Sequence, residues 1–182
     1  VGSSVLTEEK ARQIEVLDVS KNNIKKVLGD RAPITSLMGI RYLRYVKDLN
    51  CSGQELKKTL NLEQNSRVEK LNCSGNQLTG LWFHTGSSLK YLTCSVNELT
   101  ALDLSYNGAL ESLSVNDNPI TELNLHPLSN LQQLSCSKMK LTKLDVDRCP
   151  KLRRLYCNDN QIETLDLRSN KKLETLYCQN NR

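Results

Sequence analysis

The same residue types return in this chain at intervals of 21 positions, and that period limits the folds open to it more than any other feature. Cys73 and Cys94 are one period apart, Cys136, Cys157 and Cys178 continue the series, and Val115 fills the place between them. The surrounding frame repeats too. Leu89-x-x-Leu92-x-Cys94-x-x-Asn97-x-Leu99-x-x-Leu102-x-Leu104 returns as Leu110, Leu113, Val115, Asn118, Ile120, Leu123 and Leu125. A unit this short cannot bury its own apolar face, so it must stack on copies of itself and share one continuous core.

The frame extends in both directions. Leu131, Leu134, Cys136 and Leu141 carry it forward, then Leu152, Leu155, Cys157 and Asn160, and finally Leu173, Leu176, Cys178 and Asn181. Backward lie Val68, Leu71, Cys73 and Asn76, and before them Val46, Leu49, Cys51 and Leu56 in a repeat one residue longer. Ile14 to Ile24 has Val19 in the Cys place and Asn22 in the Asn place, but 32 residues separate Ile14 from Val46. The excess predicts an inserted loop near 25–33, around Gly29 and Pro33. Residues 1–13 are then an N-terminal flank of helical character, and 14–182 a repeat domain of about seven to eight turns.

The pattern L-x-x-L-x-[L/C]-x-x-N-x-L resembles the leucine-rich-repeat signature over residues 14 to 181. The dialect L-x-C-S-x-N-x-L-T-x-L-D-L-S-x-N is similar to the short repeats of surface and secreted proteins of Bacteroidetes, and Ile34 to Ser52 resembles their opening repeat. The resemblance implies an α/β-type leucine-rich-repeat solenoid, mostly β. A parallel sheet would line its concave face, with short extended or 3₁₀ segments on the convex face and little helix. It also implies protein binding, outside the cell or at its surface.

Elementary geometry gives the same layout. Alternation places Leu92 and Cys94 inward and Tyr91, Thr93 and Ser95 outward, so each repeat yields one short strand. Stacked strands form a parallel sheet at a spacing of about 4.8 Å. Asn76, Asn97, Asn118, Asn160 and Asn181 follow the strand where the chain turns, and their amides can satisfy backbone groups left unpaired there. Met139 interrupts this ladder. Too few residues separate successive strands for a helix, and a second small strand is expected at ALDLS (101–105) and TLDLR (164–168).

Seven cysteines invite a disulfide framework or a metal site, but no Cys-x-x-Cys pair occurs and His84 and His126 are the only histidines. Side chains in one column of a parallel stack point the same way, against the dihedral of about 90° that a disulfide needs. The series Cys73, Cys94, Cys136, Cys157 and Cys178 is therefore expected to be reduced and buried, with Cys149 structural in the place held by Asn107 and Asn170. The net charge of +5 is interspersed rather than blocked, which gives no footprint for nucleic acid. No stretch reaches the roughly 18 apolar residues of a membrane span, and the opening VGSSVLTEEK has no signal-peptide core, which leaves secretion open.

Candidate sites are few. Trp82 stands on the outer face where other repeats carry Asp or Asn, and either covers a neighbouring segment or anchors a partner. Asp103, Asp145 and Asp166 share a column that reads as solvated rather than cation-binding. His84 and His126 are two turns apart, too far for one metal. On the concave face Arg154, Tyr156 and Tyr177 gather on neighbouring strands with Asn158 and Gln179 beside them, and Tyr91 lies further along. Tyr and Arg together are the chemistry of binding patches, although Tyr also suits an outward strand position for its β-propensity alone.

The sequence thus reads as a non-catalytic module with no metal or cofactor, binding a protein through this face. The alternative is a glycan-binding module, or the recognition part of a larger surface enzyme or adhesin. Weak self-association is a further expectation, through the apolar Leu173, Leu176 and Cys178 at the carboxyl end.

Overall fold

The computed structural model describes residues 7–23 and 33–182. The insertion expected near 25–33 lies, apart from Pro33, outside the described residues. A short helix, α1 (Glu8–Arg12), is capped by the Thr7 hydroxyl, which accepts from the Lys10 amide, and has acidic residues in its first turn and basic ones in its last. The strands follow as β1 (Val16–Asp18), β2 (Asp48–Asn50), β3 (Lys57–Leu62), β4 (Lys70–Asn72), β5 (Gln77–Phe83), β6 (Tyr91–Thr93), β7 (Ser112–Ser114), β8 (Gln133–Ser135), β9 (Arg154–Tyr156) and β10 (Thr175–Tyr177). A 3₁₀ segment spans Met38–Tyr42.

Eight of these strands form one parallel sheet in the order β1-β2-β4-β6-β7-β8-β9-β10. Neighbours pair without slippage, so Leu71, Leu92, Leu113, Leu134, Leu155 and Leu176 stand in one row. A one-residue slip would turn every Leu outward, so the core fixes the register. The inner wall is this Leu row beside Cys51, Cys73, Cys94, Val115, Cys136 and Cys157, all buried. Leu99, Ile120, Leu141 and Ile162 close the core from beyond the turn.

The asparagine ladder makes the same bonds in turn after turn. Asn97 Nδ2 donates to the carbonyls of Cys73 (3.0 Å) and Cys94 (3.1 Å), and its Oδ1 accepts the Leu78 amide at 3.0 Å. Asn76, Asn118, Asn160 and Asn181 repeat the set in their own turns. Gln54 supplies an equivalent amide near the amino end, between Val19 O and the Ile34 amide. Met139 is buried in the ladder and has no amide, so the Ile120 N–H lacks the side-chain acceptor that Leu99 N–H has.

A second buried column lies on the far side of the coil, at Asn65, Asn107, Leu128, Cys149 and Asn170. Here the chain reverses through successive i to i+3 bonds, as in Asn107 N to Leu104 O and Leu110 N to Asn107 O, both 2.9 Å. Asn170 Nδ2 ties this corner to the preceding turn through Val146 O (3.0 Å) and Cys149 O (2.9 Å).

The second sheet is not where the sequence predicts it. ALDLS and TLDLR carry no strand, and the ladder forms instead between β3 and β5. There Gly80 lies against Thr59, where a Cβ would meet Thr59 Oγ1 at 3.2 Å, so the absence of a side chain eases the close approach of the two turns. Later turns carry Ala101, Glu122, Lys143 and Thr164 at that place, and are joined by single bonds such as Gln161 N to Leu141 O. The pairing of β3 with β5 shifts register between Lys58 and Thr59, where β5 steps from Leu78 to Gly80 and leaves Thr79 without a partner, and Lys58 is at φ 61°.

Cysteine behaviour differs from expectation at one position. All seven cysteines are free, and Cys51, Cys73, Cys94, Cys136, Cys149 and Cys157 are buried, but Cys178 is exposed. Among the described residues no strand pairs with the outer edge of β10, and Leu176 and Cys178 are exposed. Burial drives the thiols of Cys51 and Cys94 up to about 12 and those of Cys149 and Cys157 up to about 11, which keeps them protonated and inert. Under native conditions a thiol reagent should therefore label Cys178 first, and all seven cysteines should react in denaturant without reductant.

Just before each ladder position, including those held by Gln54 and Met139, the backbone is left-handed, at Gly53, Gly75, Val96, Asp117, Lys138, Asp159 and Asn180. Glycine and asparagine tolerate this, whereas the β-branched Val96, at φ 56°, is strained. Its side chain is 55% exposed and contributes little burial in return. Val96→Asn should raise stability by about 1 kcal/mol in denaturant melts. Asn97→Leu, one residue on, should cost about 1–3 kcal/mol because it leaves the buried Leu78 N–H unpaired.

Candidate binding surface on the parallel sheet

The outward residues of the eight-stranded sheet form columns at the repeat period, and their polar groups are largely committed to one another. Ahead of the strands runs a column of charged and amide side chains. Lys47 pairs with Glu15 (3.0 Å), Lys90 with Glu69 (2.8 Å), Gln132 with Glu111 (3.3 Å) and Arg153 with Glu174 (3.5 Å). The Lys90 ammonium lowers the pKa of the Glu69 carboxyl, yet both groups are well exposed and solvent screens the pair. The sequence carried this signal as alternating charge at the repeat interval, and reading motifs rather than columns missed it.

The next column holds Asp48, Lys70, Tyr91, Ser112, Gln133, Arg154 and Thr175, and beyond it stand Asn50, Asn72, Thr93, Ser114, Ser135, Tyr156 and Tyr177. Tyr91 does not join the carboxyl-terminal group, since β7 and β8 stand between it and β9. It is engaged where it is, with its hydroxyl 3.3 Å from Glu111 Oε2 and Lys70 Nζ 5.9 Å from its ring centre.

Tyr156 and Tyr177 do come together. Their rings stack with centroids 5.3 Å apart and planes 19° from parallel, close to the strand spacing itself. Tyr177 is 50% exposed. Arg154 is on the same strand as Tyr156 and is exposed, and among the described residues no carboxylate lies within ion-pair distance of it. Asn158 is spent internally: its Oδ1 accepts the Ser137 hydroxyl at 2.7 Å, and its amide donates to Asp159. It holds the edge of the patch in shape. Gln179 is exposed beside it.

Trp82 lies apart, on β5 in register with Asn61 of β3, and is 55% exposed. Elsewhere in its column the side chain caps the next turn, with Asp103 Oδ1 accepting Ser105 N (2.9 Å) and Asp145 and Asp166 doing the same for Asp147 and Arg168. Trp82 cannot, and His84 Nδ1 accepts the Gly86 amide at 2.8 Å instead. Asp145 also meets His126 Nε2 at 3.0 Å. Among the described residues no group of three or more His, Cys, Asp or Glu side chains is arranged to hold a metal ion, and no helix is long and apolar enough to cross a membrane.

A family model described as "Leucine Rich repeats (2 copies)" matches residues 129–169 and 150–182. No curated protein sequence matches the chain. Among solved structures, the functional domain of InlJ from Listeria monocytogenes, described as including a cysteine ladder, is 32% identical, with a TM-score of 0.69 over 96% of this chain and 41% of that one. A leucine-rich-repeat protein of Leptospira interrogans is 23% identical, with a TM-score of 0.82 over 96% of this chain and 45% of its own. The internalin inlF of Listeria monocytogenes is 17% identical, with a TM-score of 0.51 over 99% and 71%. The last two speak for the fold alone, and the chain spans less than half the length of the first two. The recurring Leu, Cys and Asn columns, the parallel sheet they build and these matches agree that this chain has the leucine-rich-repeat fold, with residues 129–182 matching the repeat model itself.

Proposed function

We propose that this chain is a non-catalytic recognition module that binds a protein partner through the sheet face at β9 and β10, outside the cell or at its surface. The observation that carries this is the Tyr156–Tyr177 stack, half-buried at Tyr156 and exposed at Tyr177, with Arg154 on the same strand lacking an ion-pair partner among the described residues. Tyr and Arg dominate binding hot spots, and a stacked pair loses little side-chain entropy when a partner docks. The rigid row of strands is the extended surface that repeat proteins offer to partners. The extracellular placement follows from the resemblance to short-repeat surface and secreted proteins of Bacteroidetes. Glycan binding is the second reading, favoured by the same tyrosines as stacking platforms for sugar rings.

A phage-displayed peptide selection against the chain, with a glycan array run beside it, tests both. Selected peptides should lose binding to a Tyr156→Thr, Tyr177→Thr double variant and keep it to Trp82→Ser, with melts of both variants close to wild type. Peptides that ignore the double variant would overturn the placement of the site. Tyrosine-dependent binding on the glycan array alone would favour the second reading.

A further inference from the structure

The tyrosine stack is asymmetric along the coil. Tyr156 and Tyr177 sit on neighbouring strands with their planes nearly parallel and separated by about one strand spacing, so one face of Tyr156 is covered by Tyr177. The other face looks back along the coil, where the column drops from aromatic to small, to Ser135 on β8 and Ser114 on β7. Both hydroxyls are turned aside to their own partners, Ser135 Oγ to Asn116 Oδ1 (2.9 Å) and Ser114 Oγ to Ser95 Oγ (2.9 Å). The result is a slot with an aromatic wall and a low, internally satisfied floor, one ring deep along the axis of the sheet.

The charged groups beside this slot differ in how far they are engaged. Glu174 is paired with Arg153, and the Asp159 carboxylate accepts the neutral amides of Asn180 and Asn158. Arg154, one column across from Tyr156, retains its full fork of donors.

We propose that the slot over Ser135 receives an aromatic side chain of an extended, acidic protein segment, whose carboxylate pairs with Arg154. The ring continues the Tyr177–Tyr156 stack by one step. The Arg154 guanidinium, with no carboxylate within ion-pair distance among the described residues, is the group that selects acidic over basic segments. This rests on the protein-binding reading above and narrows it to one kind of partner.

The probes are labelled random copolymers of Glu and Tyr, of Glu alone and of Lys and Tyr, with binding read by fluorescence anisotropy at physiological ionic strength, where non-specific charge attraction is screened. The Glu–Tyr copolymer should bind roughly tenfold tighter than poly-Glu, and the Lys–Tyr copolymer should not bind. Arg154→Gln should weaken the Glu–Tyr copolymer roughly tenfold, whereas Lys143→Gln on the outer face should leave it unchanged. Ser135→Tyr should abolish the preference for the Tyr-bearing copolymer by filling the slot, with a melt at or above that of wild type from the added cross-strand aromatic contact. Equal weakening by Arg154→Gln and Lys143→Gln would overturn the proposal, as would an undiminished preference in Ser135→Tyr. If peptides from the phage selection still depend on Tyr156 and Tyr177 while these variants have no effect, the docking face stands and the partner chemistry is wrong. If those peptides ignore the tyrosines as well, both fall.

Discussion

A ladder of side-chain amides, broken only at Met139 among the turns from Gln54 to Asn181, holds this structure together. A coil that reverses direction every few residues leaves carbonyls and N–H groups at its corners, inside the core and away from water, where an unpaired group is costly. Asn97 resolves this by donating to two carbonyls, one in its own turn and one in the turn before, and accepting the Leu78 amide. Because each amide bridges consecutive turns, the ladder fixes their separation as well as satisfying them. The sheet register, the packing of the Leu row and the placement of every outward column depend on that separation.

The rest of the core follows from the space this leaves. Behind the strand there is room for a side chain smaller than Leu, and Cys or Val fills it in every turn from Cys51 to Cys157. Buried thiols with raised pKa values are fillers rather than reagents. The left-handed residue ahead of each ladder position is the conformational cost of the tight corner, borne easily by Gly53 and Gly75 and less easily by Val96.

Function is left to the surface. Along most of the sheet, outward groups answer one another: lysine against glutamate, serine against asparagine, Tyr91 against Glu111. A surface that satisfies itself has little to offer a partner. At β9 and β10 this changes, with the Tyr177 ring exposed on its stack with Tyr156 and the Arg154 guanidinium left without an ion-pair partner among the described residues.

The sequence by itself determined the period, the inward Leu and Cys columns, the ladder asparagines and the parallel sheet, because each depends on spacing that repeats identically and is read one residue at a time. It also placed Tyr156 beside Tyr177, since a shared column is a matter of counting. It misplaced the second sheet, because pairing between β3 and β5 depends on Gly80 closing against Thr59 across two turns, and on a register shift that leaves Thr79 unpaired. It counted Asn158 among the candidate contacts without showing that this amide is bonded to Ser137 and Asp159, and it took Cys178 for buried, although among the described residues no strand covers β10. Which polar groups are already satisfied, and which faces another turn covers, are properties of neighbours one or more repeats away, and only the tertiary structure decided them.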